Sequence, residues 1–402
     1  MTAAILFLVI TIILISIHLL HLASQAMPPA LHFTDSKYLR SILALCPMLR
    51  EEYVPTSLWG KNGHLQTILY GKMGRINSPF PRGERHSATM PDDATMTFDI
   101  FQPHQPHNTD GDYTLCVCPG IANSSESLYI RTFVHHAQTE GFRVAVLNHL
   151  GALKDVKLTS SRIFTYGGTD EYSTMIDRVL EIYPDTDCIA VGFSMGGNII
   201  TKYLGESKEN QTKVLCGVSC GQGYDVEKAV EYLMSWENFR RCYVYAMAQH
   251  MKSILQQNYG ILFGETGDKY DTKQIFSGTS LVDIDTHYSS KRAGFSSVSD
   301  YYRWVSSSHY MDNIEIPMFF LNAQDDPLVP PDLINIPKEF ASRRNNVIVA
   351  ETRHGGHLGY FQGGLLIPDT ITWLDKVVVE FAHAIVLTST IKRSSKLQEM
   401  VA

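Results

Sequence analysis

The chain has 402 residues, 44% of them apolar and 19% charged, and a formal net charge of −7. That is long enough for one large domain with an accessory part, and apolar enough for a substantial core. The acidic balance and the lack of any long basic run exclude nucleic acid as an expected partner.

The first 34 residues hold no Asp, Glu, Lys or Arg. Within them Ala3 to Ala23 is nearly continuous Ile, Leu, Val, Phe and Ala, broken only by Thr11, Ser16, His18 and His21. As a helix this stretch would span about 32 Å, against a hydrocarbon core of about 30 Å. The expectation is a single-pass transmembrane anchor over 1–26, facing a membrane bilayer. A cleavable signal peptide is the rival, with Ser24-Gln25-Ala26 as its small-residue site. Against it, no basic segment precedes the apolar run, which exceeds the usual length. Lys37, Arg40 and Arg50 follow the anchor and favour a cytoplasmic catalytic domain. The sequons at Asn123 and Asn210 are usable only in the lumen, so the membrane side stays open.

Residues 27–84 read as an extension packed on the domain, centred on Trp59-Gly60-Lys61-Asn62-Gly63-His64-Leu65-Gln66-Thr67. Apolar, β-branched runs at 85–101, 113–118, 143–148, 188–193, 215–219, 317–322 and 346–351 predict strands. Helical patterns fall between them near 127–140, 169–183, 195–205 and 369–386. Alternating strands and helices imply an α/β fold with a mostly parallel sheet covered on both faces. The core divides into 85–221 and 313–386. Between the two parts, 222–312 is rich in Met, Tyr, Phe and Trp and reads as a helical lid over the C-terminal ends of the strands. The rival reading is a helical subdomain with its own core. Residues 387–402 form a tail. Seven cysteines (46, 116, 118, 188, 216, 220, 242) show no metal-type spacing and read as small buried hydrophobes. No metal or cofactor is expected.

Cys188 to Phe193 runs into Gly192-Phe193-Ser194-Met195-Gly196, and Asn198 to Leu204 can continue as a helix. A G-x-S-x-G sequence between a strand and a helix is the nucleophile elbow of α/β-hydrolases. The serine needs a sharp turn, hence neighbours without Cβ. The helix after it aims its N-terminal N–H groups where negative charge develops. A turn serine in a nucleotide-binding βαβ unit is the bland alternative, but no P-loop lysine or G-x-G-x-x-G accompanies it. Downstream, the run Met318 to Asn322 leads to Ala323-Gln324-Asp325-Asp326-Pro327-Leu328-Val329. Asn346 to Ala350 leads to Glu351-Thr352-Arg353-His354-Gly355-Gly356-His357. The order Ser194, Asp326, His357 is the α/β-hydrolase order of a catalytic triad.

Acyl-transfer chemistry gives each residue its expected role. Ser194 is the nucleophile, His357 the base and then the acid, and Asp326 the group that orients the imidazole. Met195, following the nucleophile, supplies one backbone oxyanion donor, and Ile121, in the loop after the strand at 113–118, supplies the second. Asp325 competes with Asp326, but Asp326-Pro327-Leu328-Val329 matches the Asp-x-x-Val pattern common in this fold. His354 competes with His357, and Gly355-Gly356 suggests a loop shaped to present the latter.

Several segments recur together in one known group. They are Trp59…Gly63-His64-Leu65-Gln66-Thr67, Cys118-Pro119-Gly120, Asn148-His149-Leu150-Gly151-Ala152, Gly192 to Asn198, Asn322 to Pro327 and Gly355 to Gly359. With the N-terminal apolar run, they make the chain resemble the membrane-anchored α/β-hydrolase-domain proteins of the AB hydrolase 4 family, from the anchor to about residue 386. The resemblance implies a monoacylglycerol lipase acting on acylglycerols such as 2-arachidonoylglycerol, with esterase activity on short acyl esters. It puts the family's triad on Ser194, Asp326 and His357. The alternatives are a phospholipase, a general short-chain esterase, or a lipid-binding receptor or scaffold on a hydrolase fold. A His-x4-Asp acyltransferase motif fails at His149, where Lys154 holds the required place. His107 and Asp112 have that spacing, but in a polar loop.

Overall fold

The computed structural model describes residues 2–73, 79–264 and 269–401. Small parts of the expected anchor, extension, lid and tail therefore lie outside the described residues. The strands are β1 (Ala30–His32), β2 (Glu84–Thr89), β3 (Thr95–Phe101), β4 (Tyr113–Cys118), β5 (Arg143–Asn148), β6 (Asp187–Phe193), β7 (Val214–Cys220), β8 (Met318–Ala323) and β9 (Val347–Thr352). They form one sheet in the order β1-β9-β8-β7-β6-β4-β5-β3-β2. The block from β9 through β4 to β5 is parallel, while β1, β3 and β2 pair antiparallel at its two edges. The single run expected over 85–101 is thus a hairpin, turned at Met90–Ala94 where Met90 N donates to Ala94 O at 2.7 Å.

Two cores flank the sheet, and strand side chains alternate between them with period two. Cys116, Cys188 and Ala190 face one side, where α5 (Asp170–Ile182), α6 (Met195–Glu206) and the helix Pro331–Ser342 pack. Leu115, Val117, Ile189 and Val191 face the other, covered by α2 (Lys37–Ala44), α4 (Leu128–Thr139) and the helix Trp373–Val401. Both faces are buried, so the central strands read as continuous apolar runs rather than alternating ones. Six cysteines are buried in these layers without disulfides, and Cys242 is exposed.

Between β7 and β8 the chain leaves the sheet for a set of helices that includes Val226–Leu233, Arg240–Gln257 and Val298–Val305. These helices share an aromatic cluster in which Phe263, Tyr270, Phe276 and Tyr288 make ring contacts. They also lay apolar side chains over the end of β6.

The N-terminal expectation is corrected. Helix α1 spans Thr2–Leu19, 18 residues, about 27 Å at 1.5 Å per residue. No helix among the described residues is long and apolar enough to cross a membrane, so the single-pass anchor over 1–26 does not stand. The extension meets the end of this helix and the turn after it. Asn62 Nδ2 donates to Leu19 O at 2.8 Å, and Lys61 Nζ donates to Leu22 O at 3.1 Å and Ser24 O at 2.6 Å. Between these contacts the chain turns at His21, whose φ is +51°.

Candidate active site

Ser194 lies between β6 and α6 at φ +55°, ψ −120°, a conformation L-residues rarely adopt. The flanking glycines are there for space. A Cβ on Gly192 would lie 2.4 Å from Gly196 O, and one on Gly196 only 1.9 Å from Cys118 O. The elbow is pinned by Ser194 N donating to Cys220 O at 2.8 Å. In the first turn of α6, Gly197 N donates back to Ser194 O at 2.9 Å, while Met195 and Gly196 sit where a helix offers its N–H groups no acceptor.

His357 Nε2 is 2.7 Å from Ser194 Oγ, and His357 Nδ1 is 2.8 Å from Asp326 Oδ2. Asp326 Oδ1 accepts from Leu328 N at 2.7 Å and Val329 N at 3.2 Å. Its carboxylate is thus held on both sides, which is the physical content of the Asp-x-x-Val pattern. The two rivals pair with each other instead. His354 Nδ1 lies 3.3 Å from Asp325 Oδ2, and Asp325 Oδ1 accepts from Gly356 N at 2.8 Å. Burial pushes the Asp325 carboxyl above its ordinary value, an effect opposed by the His354 and Gly356 hydrogen bonds. His354 Nε2 in turn sits 2.7 Å from Ser24 Oγ, so this second pair faces the N-terminal turn rather than Ser194.

The extension supports the histidine loop in a way that spacing did not disclose. From α3 (Gly63–Met73), Thr67 Oγ1 accepts from His357 N at 2.8 Å and donates to Gly63 O at 2.7 Å. Gln66 Oε1 accepts from Phe361 N at 2.9 Å, and its Nε2 donates to Gly60 O at 2.7 Å. A Cβ on Gly356 would lie 2.4 Å from Gly63 O, so the glycines after His354 allow this close approach. His64 Nδ1, 2.9 Å from Tyr243 Oη, links the extension to the lid. Burial holds the His64 ring below its ordinary value.

The loop carrying Ile121 is fixed by two buried groups. Gly120 N donates to Tyr129 Oη at 2.8 Å, and His149 Nε2 lies 3.0 Å from Pro119 O. Burial lowers the His149 pKa to about 4, so the ring is neutral and donates from Nε2. His149 thus props this loop. His107 and Asp112 do not meet: His107 pairs with His383 at 2.8 Å, and Asp112 with Arg143 and Thr186. The amides of Asn123 and Asn210 donate inward, to Ile121 O at 2.6 Å and Tyr203 O at 2.7 Å.

Ser194, Met195, Ile121 and His357 open onto a cavity of about 150 Å³. Its walls are mostly apolar, with Val226, Ala229, Val230, Leu233, Met247 and Leu281 supplied by the lid. A hydroxyl, an imidazole and a carboxylate in a relay, beside a greasy cavity, fit acyl transfer to or from an apolar ester.

Residues 113–364 match the family model described as the alpha/beta hydrolase fold. The chain belongs to the α/β-hydrolase family. This hydrolase is 47% identical over 383 residues to the monoacylglycerol lipase ABHD2 of Mus musculus, and likewise to that of Homo sapiens, covering 94% of this chain and 90% of each relative. It is 42% identical over 391 residues to abhydrolase domain-containing protein 2 of Drosophila melanogaster, covering 96% of this chain and 98% of that one. By this kinship it is an ester-cleaving serine hydrolase.

Proposed function

We propose that this hydrolase cleaves monoacylglycerols and related lipid esters through an acyl-enzyme on Ser194. The observation that carries the reading is the relay Ser194–His357–Asp326, with links of 2.7 and 2.8 Å, at the wall of an apolar cavity. Ser194 Oγ attacks the ester carbonyl while His357 Nε2 takes its proton. The N–H groups of Met195 and Ile121 receive the oxyanion. Collapse of the tetrahedral intermediate expels the alcohol, here glycerol, which takes the proton from His357. Water, activated by the same imidazole, then releases the fatty acid. Asp326 keeps the tautomer that makes each transfer possible.

At about 150 Å³ the cavity is compact. A compact cavity suits short acyl esters, which favours a short-chain esterase as the second reading. Delivery of a lipid ester fits a surface made by exposed α1 side chains and by Leu365, Leu366 and Ile367. Both regions are tied to residues 58–62, through Leu58 N to Leu365 O and Asn62 Nδ2 to Leu19 O. We infer that this surface rests against a bilayer, which gives the enzyme its contact with lipid.

The test is labelling with a fluorophosphonate probe. Wild type reacts, Ser194→Ala does not, and Ser194→Ala loses at least about 10³-fold in monoacylglycerol turnover. A folded wild type that neither labels nor turns over ester would instead support a lipid-binding protein on a hydrolase fold.

A further inference from the structure

The carboxylate beside the catalytic one has no part in the chemistry above, yet it repeats the catalytic pattern. Asp325 precedes Asp326, and His354 lies three residues before His357. Asp325 Oδ2 is 3.3 Å from His354 Nδ1, and His354 Nε2 is 2.7 Å from Ser24 Oγ. The catalytic pair shows the same order of atoms and ends on Ser194 Oγ. Each chain runs carboxylate, imidazole, serine hydroxyl. The second one differs at its serine. Ser24 follows α1, and the next helix, α2, starts only at Lys37, so no helix N-terminus faces this hydroxyl as one faces Ser194. Ser24 is instead tied to the extension, its carbonyl oxygen accepting from Lys61 Nζ at 2.6 Å. The second chain is built to hold.

What it holds is the loop that presents the catalytic base. Between the two histidines lie only Gly355 and Gly356, at φ +148° and +55°, residues with the most backbone freedom to lose. No side chain of their own fixes them. Asp325 Oδ1 accepts from Gly356 N at 2.8 Å, one residue before His357, while Asp325 Oδ2 meets His354. The backbone of Asp325 packs against α3, where a Cβ on Gly63 would lie 1.8 Å from Asp325 O. We propose that Ser24, His354 and Asp325 are positioning residues, a second relay that fixes the loop presenting His357 to the N-terminal turn. This rests on the ester-hydrolase reading and deepens it. Bond cleavage stays with Ser194, His357 and Asp326, and the second relay keeps the imidazole within reach of Ser194 Oγ. A small misplacement of a catalytic base is enough to cost rate.

The test measures the rate constant of fluorophosphonate labelling, with kcat and KM for p-nitrophenyl butyrate. The proteins are wild type, Ser24→Ala, Ser24→Thr, His354→Ala and the double variant Ser24→Ala/His354→Ala. A reduced folded fraction lowers the amplitude of labelling and leaves its rate constant unchanged, so a merely structural role would not move this readout. Ser24→Ala and His354→Ala should slow labelling and kcat about three- to tenfold, the worth of about one hydrogen bond, with KM within about twofold of wild type. Ser24→Thr keeps the hydroxyl and should label at about the wild-type rate. The double variant should be no slower than His354→Ala, because residues acting in series are not additive. Wild-type rate constants in both single alanine variants overturn the inference. So does a double variant whose loss is the product of the single losses, or a Ser24→Thr as slow as Ser24→Ala. A wild type that neither labels nor turns over ester overturns the hydrolase reading, and this inference with it.

Discussion

At the scale of single residues, the site is a set of close approaches that only particular side chains allow. Ser194 holds its φ of +55° because the glycines around it let β4, β6 and α6 crowd together. In Gly196→Ala the new Cβ would collide with backbone, Cys118 O at 1.9 Å, which no rotamer change relieves. We expect a loss of about 1–3 kcal/mol of stability and near-complete loss of esterase activity in the fraction that folds, read by thermal melts beside turnover of a short ester. Ser194, Asp326 and His357 were legible in the sequence because each sits in a short pattern whose neighbours have a steric or hydrogen-bonding task. Thr67 was not, because its partner lies far away in the chain.

At the scale of elements, the extension is part of the site's support. Helix α3 reaches the histidine loop through Thr67 Oγ1, which accepts from His357 N at 2.8 Å. Thr67→Val keeps the shape and leaves that buried N–H without an acceptor, a cost of about 1–3 kcal/mol. The expected outcome is kcat reduced about tenfold or more, with KM nearly unchanged and a small drop in Tm. Equal kcat for variant and wild type would show that the loop holds its place without Thr67. The sequence located the central strands well, since burial on both faces leaves continuous apolar runs. It merged β2 and β3, although Pro91-Asp92-Asp93 marks a turn where Asp93 takes φ +61°. It missed β1, whose three residues carry too little pattern. It ended the last helix near 386, whereas the helix continues to Val401. The apolar run at the N-terminus was plain, but the contacts at its end, from Asn62 to Leu19 O and from Lys61 to the turn after it, come from tertiary structure alone.

Across the whole molecule, the sheet order could not be read from the chain, because strand neighbours follow from crossovers rather than from composition. What the assembled fold adds is coupling between distant segments and pH. The helix Trp373–Val401 holds Glu380 half-buried against the N-terminal extension, where its Oε2 accepts from Met48 N at 3.2 Å. Burial raises its pKa from 4.5 to about 7. A carboxyl raised in the fold is favoured there in its neutral form, so its contribution is present below about pH 4.5 and lost as pH rises through about 7. We expect the stability of wild type relative to Glu380→Gln to fall between pH 5 and pH 8, measured by denaturant unfolding at both. A difference that does not change with pH would contradict the assignment.

The most direct test of the account uses the two adjacent carboxylates. Asp326 Oδ2 meets the imidazole 2.7 Å from Ser194 Oγ, while Asp325 meets His354 and Gly356 N. Measured as kcat/KM on a monoacylglycerol, Asp326→Asn should lose on the order of 10³–10⁴-fold by analogy with triad aspartates, and Asp325→Asn less than about tenfold. Equal losses, or a larger loss for Asp325→Asn, would contradict the relay on which the proposed function stands.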